Sequence, residues 1–257
     1  MGVSAKSCCG FFVRRAQHSC AGEMTSDEPP SAQNPQAQLL RNSTRKFTPP
    51  KEDSVLLEPF IGLTLAHIFV PATEAEFAAA TAEIMTAGVV GFDTESKPVF
   101  DRGVASDGPH VAQFSLADRA YIFQLCRPDC RRFLIDILQA ENVLKVGFGL
   151  SSDHAQIRAT LGVKPAAVLD LDVVFRKLGH RGDTGARAGV HLVLNQYFRK
   201  SKAVSTTNWA QPTLSPKQLL YAASDAYVPH CVLMALDLDV VRDLLPVPGS
   251  RLTRSAD

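Results

Sequence analysis

Val89-Val90-Gly91-Phe92-Asp93-Thr94-Glu95 starts as an apolar strand and ends on two carboxylates, and the segments around it decide the fold. Upstream, Thr73-Glu74-Ala75-Glu76 is a capping box, in which threonine accepts from the backbone three residues on and glutamate reaches back. It opens an alanine-rich helix that Gly88 closes, since glycine takes the left-handed terminating conformation without a Cβ penalty. Downstream, His110–Leu116 and Ala120–Leu125 are two more strands joined by the short turn Ala117-Asp118-Arg119. The region therefore reads as an antiparallel three-strand meander. Next come a helix over Asp129–Gln139, a strand over Val143–Gly147, a helix over Ser152–Leu161 and a strand over Ala167–Asp170. Such alternation calls for an α/β fold with a mixed sheet, part of it parallel, and flanking helices. The last third is helical: Val190, Leu194 and Tyr197 or Phe198 predict a helix over Ala186–Tyr197. Ser215-Pro216-Lys217-Gln218 supplies an N-cap, a proline at the first helical position and a reciprocating glutamine, opening a helix through Tyr221 and Asp225.

The chain has 257 residues, 46% apolar and 21% charged, which excludes wholesale disorder and allows a sizeable core. Lysines and arginines number 27 against 26 acids, so a uniformly polybasic binder is excluded while a local basic groove is not. Residues 1–50 are rich in Pro, Ser, Gln, Thr and Asn from Glu23 onward and read as a disordered N-terminal tail. One domain is expected over 51–245, followed by a short flexible C-terminal tail at 246–257. No apolar run approaches the roughly 18 residues that span a bilayer, so no membrane partner is expected. The six cysteines, at 8, 9, 20, 126, 130 and 231, are too scattered for a disulfide framework. A reducing, cytoplasmic location follows, with Cys126 and Cys130 as free thiols because no second ligand pair completes a zinc site.

Four acids and a phenol stand out. Asp93 and Glu95 are two apart on a strand and share one face. Two carboxylates together repel unless a cation neutralises them, and hard oxygen donors suit Mg²⁺ or Mn²⁺. Asp153 follows the strand and glycine turn Lys145-Val146-Gly147-Phe148-Gly149 and falls in the first turn of a helix. The helix dipole alone explains an acid there, yet the carboxyl ends of α/β strands are also where sites gather. Tyr221 and Asp225 stand at i and i+4 on one helix face. Between these motifs, residues 176–202 hold seven cations, Arg176, Lys177, Arg181, Arg187, Arg199, Lys200 and Lys202, against the single acid Asp183. That polarity suits a phosphate backbone, although a solvated loop would also carry it.

In this order and on these elements, the set resembles the DEDD 3'-5' exonucleases in their tyrosine subgroup, the group of ribonuclease D and the Werner exonuclease domain. The likeness spans about residues 88–237 and extends to Gly91-Phe92-Asp93-Thr94-Glu95, Gln113, Asn208-Trp209 and Leu219-Leu220-Tyr221-Ala222-Ala223-Ser224-Asp225. It implies a ribonuclease H-like exonuclease fold and hydrolysis of phosphodiester bonds at the 3' end of DNA or RNA, releasing nucleoside 5'-monophosphates. It also implies two metal ions, Mg²⁺ or Mn²⁺. Asp93, Glu95 and Asp225 would hold the first, and Asp93 with Asp153 the second. Glu95 and Tyr221 would orient the attacking water. Substrate contacts are expected from Gln113, Lys200, Lys202 and Trp209, the last readable also as core. Phe100 would serve as a wedge against the terminal base, since Ser96 stands where many relatives carry an aromatic. The expected partner is nucleic acid with a single-stranded 3' end. The alternative is a catalytically silent nucleic-acid-binding module that keeps the fold.

Overall fold

A computed structural model describes residues 55–99, 106–182 and 184–236, with the isolated positions 46, 47, 49, 53, 103, 241 and 244 beside them. Strands β1 (Lys46–Phe47), β2 (Ile68–Phe69), β3 (Val89–Glu95), β4 (Val111–Ser115), β5 (Ala120–Gln124), β6 (Leu144–Gly147), β7 (Val168–Asp170) and β8 (His180–Arg181) are present. The helices are α1 (Glu74–Ala87), α2 (Cys130–Gln139), α3 (Ser151–Leu161), α4 (Leu171–Lys177), α5 (Ala186–Gly189), α6 (Lys202–Ser205) and α7 (Pro216–Ala235).

Six strands form one mixed sheet in the order β2-β5-β4-β3-β6-β7. The meander β3-β4-β5 is antiparallel, while β6 and β7 add parallel to β3 on one side and β2 adds parallel to β5 on the other. Expectation and structure agree on this core. The two-residue strand β2 is too short to leave a periodic signal and was not expected.

Both sheet faces are covered, which is why β4 and β5 are buried throughout. On one face Val90 and Phe92 join Phe114 and Phe123 against Phe77 and Ile84 of α1 and Leu134 and Ile137 of α2. Phe92 stacks on Phe114 at 5.2 Å and Phe114 meets Phe123 edge-on at 5.5 Å. On the opposite face Val111 and Ile122 pack on Tyr221, Ala222 and Ala223 of α7. Alpha7 begins with its capping box formed: Gln218 N–H donates to Ser215 Oγ and Ser215 N–H to Gln218 Oε1. The corresponding box at Thr73 and Glu76 starts α1, and Gly88 ends it at φ 69°. Lys145 on β6 is wholly buried, and its ammonium donates to the carbonyls of Ile137 and Ala140 at the end of α2. Burial pulls its pKa down to about 8.

Gly91 is the tightest point between sheet and helix. A Cβ built there would lie 1.7 Å from the Ala226 carbonyl oxygen of α7. Only a residue without a side chain lets α7 come this close to β3, and the next inward residue on α7 is Asp225.

One expectation needs correction. The helix over Ala186–Tyr197 stops early: after α5 comes a π-helical turn, Val190–Leu194, and Asn195 then takes a left-handed conformation at φ 53°. Tyr197 instead bridges to Pro59, with its N–H on the Glu58 carbonyl and its carbonyl accepting from Phe60 N–H. Apolar spacing continued past the residue able to terminate the helix. Ahead of the expected domain, β1 pairs in parallel with β8. The rest of the expected tails lies outside the described residues. Among the described residues, no helix is long and apolar enough to cross a membrane, and Cys126, Cys130 and Cys231 are free thiols.

Candidate active site

The strand alternation that buries Val90 and Phe92 on one face directs Asp93 and Glu95 to the other, toward α7. Close packing at Gly91 brings Asp225 beside them. One ligand oxygen from each of Asp93, Glu95 and Asp225 lies within 4.8 Å of the other two. Asp153 enters from the first turn of α3. Its carboxylate accepts hydrogen bonds from the Thr94 and Ser152 hydroxyls, and its charge acts directly on Asp93. Tyr221 lies one turn before Asp225 on α7, its ring packed 5.9 Å from that of Trp209.

The electrostatics are those of crowded acids. Burial, and then the carboxylates of Asp153, Asp225 and Glu95, hold the Asp93 pKa well above its usual range. Burial followed by Asp225 pushes Glu95 up to about 8. Asp225 is also raised by burial, with Lys200 opposing the rise. Burial and then the Asp225 charge raise the Tyr221 phenol, which stays protonated and able to donate. The Lys200 ammonium lies 2.7 Å from Asp225 Oδ2. Burial works against its charge, but Asp225 and Asp93 outweigh it and leave the pKa raised. One lysine among four acids leaves the cluster short of positive charge. Converging hard oxygen donors of this kind fit a divalent cation such as Mg²⁺ or Mn²⁺.

The acids open onto a groove of about 1210 Å³ whose lining includes Phe148, Arg187, Tyr197, Arg199, Lys200 and Lys202. The structure thus divides the basic stretch. Arg187, Arg199, Lys200 and Lys202 reach the groove, whereas Arg176 pairs with Asp172 at 2.7 Å within α4.

Among the expected site residues, Asp93, Glu95, Asp153, Tyr221 and Asp225 line this one groove together with Lys200 and Lys202. Two others do not reach it. Gln113 pairs with Asp93 across β3 and β4 and is fully buried, with no surface to offer a substrate. Trp209 is 1% exposed and its indole N–H donates to the Ser205 carbonyl, so the ring is core and leaves no free face for a base. Phe100 lies outside the described residues. Thr94 was not expected at the site. It sits between the two acids with its side chain on the other side of the strand, and only the arrival of α3 gives its hydroxyl a partner.

A family model described as 3'-5' exonuclease matches residues 68–240. Exonuclease 3'-5' domain-containing protein 2 of Drosophila melanogaster is 32% identical over 127 residues, covering 49% of this chain and 21% of that protein. The bifunctional 3'-5' exonuclease/ATP-dependent helicase WRN of Mus musculus is 28% identical over 153 residues, 54% of this chain and 10% of that protein. The chain therefore spans well under half the length of these curated relatives. Among solved structures, the Aedes aegypti Nibbler EXO domain superposes with a TM-score of 0.59 at 22% identity, covering 72% of this chain and 93% of that one. That likeness shows the fold, the mixed ribonuclease H-like sheet with flanking helices.

Proposed function

Because this chain belongs to the 3'-5' exonuclease family, we propose that it hydrolyses the terminal phosphodiester at the 3' end of a single-stranded nucleic acid and releases nucleoside 5'-monophosphates. One observation carries the reading: Asp93, Glu95 and Asp225 converge within 4.8 Å on the floor of a groove with basic walls. Asp93, Glu95 and Asp225 would hold one divalent cation, and Asp93 with Asp153 a second. Bound Mg²⁺ or Mn²⁺ supplies acidification of the attacking water and charge neutralisation at the leaving 3' oxygen.

The remaining work belongs to the chain itself. Thr94 holds the Asp153 carboxylate by a hydrogen bond and so fixes its direction. The protonated Tyr221 hydroxyl donates toward the reacting phosphate or the attacking water, and Glu95 accepts from that water. Arg187, Arg199 and Lys202 meet the strand's phosphates along the groove wall. Phe148 and Tyr197, in the same lining, offer aromatic surface to bases.

The test uses 5'-labelled single-stranded DNA and RNA incubated with Mn²⁺, with the wild type and Asp93→Ala side by side. A ladder of 3'-shortened products from the wild type alone is expected. No ladder from the wild type, or the same ladder from the variant, would refute the reading.

A further inference from the structure

Phosphate binding does not account for where Lys200 sits. Arg187, Arg199 and Lys202 line the same groove, yet among the described residues none of them forms an ion pair with a site acid. The Lys200 ammonium does, at 2.7 Å from Asp225 Oδ2 and 5.3 Å from the centre of the Tyr221 ring. The two partners are unequal. The Asp225 side chain is 1% exposed, so few waters reach it, while the lysine keeps 45% of its side-chain surface in solvent. Lys200 also lies on the short segment between the bridged Tyr197 and the start of α6.

Asp225 is one of the three acids whose oxygens converge. An ammonium against it and a divalent cation held by the same carboxylate are like charges only a few ångströms apart. The cation must displace the ammonium or bear its repulsion. In return, without a cation, the lysine relieves repulsion among Asp93, Glu95 and Asp225 that would otherwise act unopposed.

We propose that Lys200 is a resident counter-cation: it balances the acid cluster in the metal-free protein and thereby lowers the cluster's affinity for divalent metal. The inference rests on the reading that these acids hold metal. It makes Lys200 a positioning residue with a sign opposite to that of an ordinary structural lysine, whose loss would loosen the site and weaken binding.

The full-length chain, freed of metal and nucleic acid, is titrated with Mn²⁺ alone at fixed ionic strength. Free Mn²⁺ is followed by electron paramagnetic resonance, and thermal unfolding is recorded before and after saturation. Lys200→Met and Lys200→Gln are each expected to bind Mn²⁺ on the order of tenfold more tightly than the wild type. They should melt at lower temperature without metal and gain more on adding it. Lys202→Met removes the same charge from the groove without touching Asp225 and should change the affinity by less than about twofold, since exposed charges are screened. Unchanged or weaker Mn²⁺ binding in both Lys200 variants overturns the proposal, as does equal tightening in Lys202→Met. A wild type that binds no more Mn²⁺ than Asp93→Ala overturns the metal-site reading beneath it instead.

Discussion

Gly91→Ala adds one methyl group at the point where α7 crosses β3, and its effect can be worked out from the contact. The new Cβ would lie 1.7 Å from the Ala226 carbonyl oxygen, 2.8 Å from the carbonyl carbon and 3.1 Å from the His230 Cβ. An ordinary C···O approach is about 3.3 Å, so the helix must back away from the strand by about 1.6 Å. Two of these atoms are backbone and the third is a Cβ, so no side-chain rotation relieves the clash. Alanine in place of glycine in a strand gains at most about 1 kcal/mol, against an overpacking cost of about 3 kcal/mol or more at a backbone contact. Destabilisation wins by about 2 kcal/mol, and a fall of roughly 4–8 °C in melting temperature is expected. Because Asp225 rides on the displaced helix, it moves away from Asp93 and Glu95 by about 1.6 Å, against oxygens that now lie within 4.8 Å of one another. Misplacement by about 1 Å costs on the order of a hundredfold in rate. The assay is urea and thermal unfolding with and without Mn²⁺, alongside the nuclease assay. Gly88→Ala is the control. That position has φ 69° with nothing within 4 Å, so it should cost about 1–2 kcal/mol of backbone strain and leave the Mn²⁺ response intact. Wild-type stability and Mn²⁺ response in Gly91→Ala would refute the argument that close packing at Gly91 seats Asp225.

Two further outcomes follow from burial and charge. Glu95 titrates at about 8 in the folded protein against an ordinary 4.5. The native state therefore binds more protons than the unfolded chain between those values, and metal-free stability should fall as pH rises from 4.5 to 8. Allowing for partial solvent access, the loss is on the order of 2 kcal/mol; urea midpoints in chelator should show it, and Glu95→Gln should flatten the slope. Trp209→Ala should cost about 3–5 kcal/mol as a core cavity and release the ring of Tyr221 that packs against it. A variant of wild-type stability that only weakens oligonucleotide binding would return Trp209 to the substrate surface.

Local chemistry made much of this protein legible in its sequence. Capping boxes at Thr73 and Ser215 fixed two helix starts because each satisfies its own backbone donors within four residues. Apolar runs with period two and the short turn at 117–119 fixed the meander, and the order and spacing of Asp93, Glu95, Asp153, Tyr221 and Asp225 marked the site. The misplaced features depend on partners distant in the chain. Gln113 and Trp209 are polar or amphipathic residues inside the site motifs, but α7 covers both, and only packing decides which face of a strand or loop is covered. The helix expected to reach Tyr197 gives way at the left-handed Asn195, and Tyr197 takes its backbone partners, Glu58 and Phe60, from more than a hundred residues away in the chain. Thr94 acquires its role from α3, and Lys200, read in the sequence as a basic substrate contact, acquires its acidic partner from α7. The sequence by itself therefore determined which elements form and which acids could act together, since those depend on residues near one another along the chain. The tertiary structure alone decided burial and charge pairing, because both are set by which surfaces meet in space.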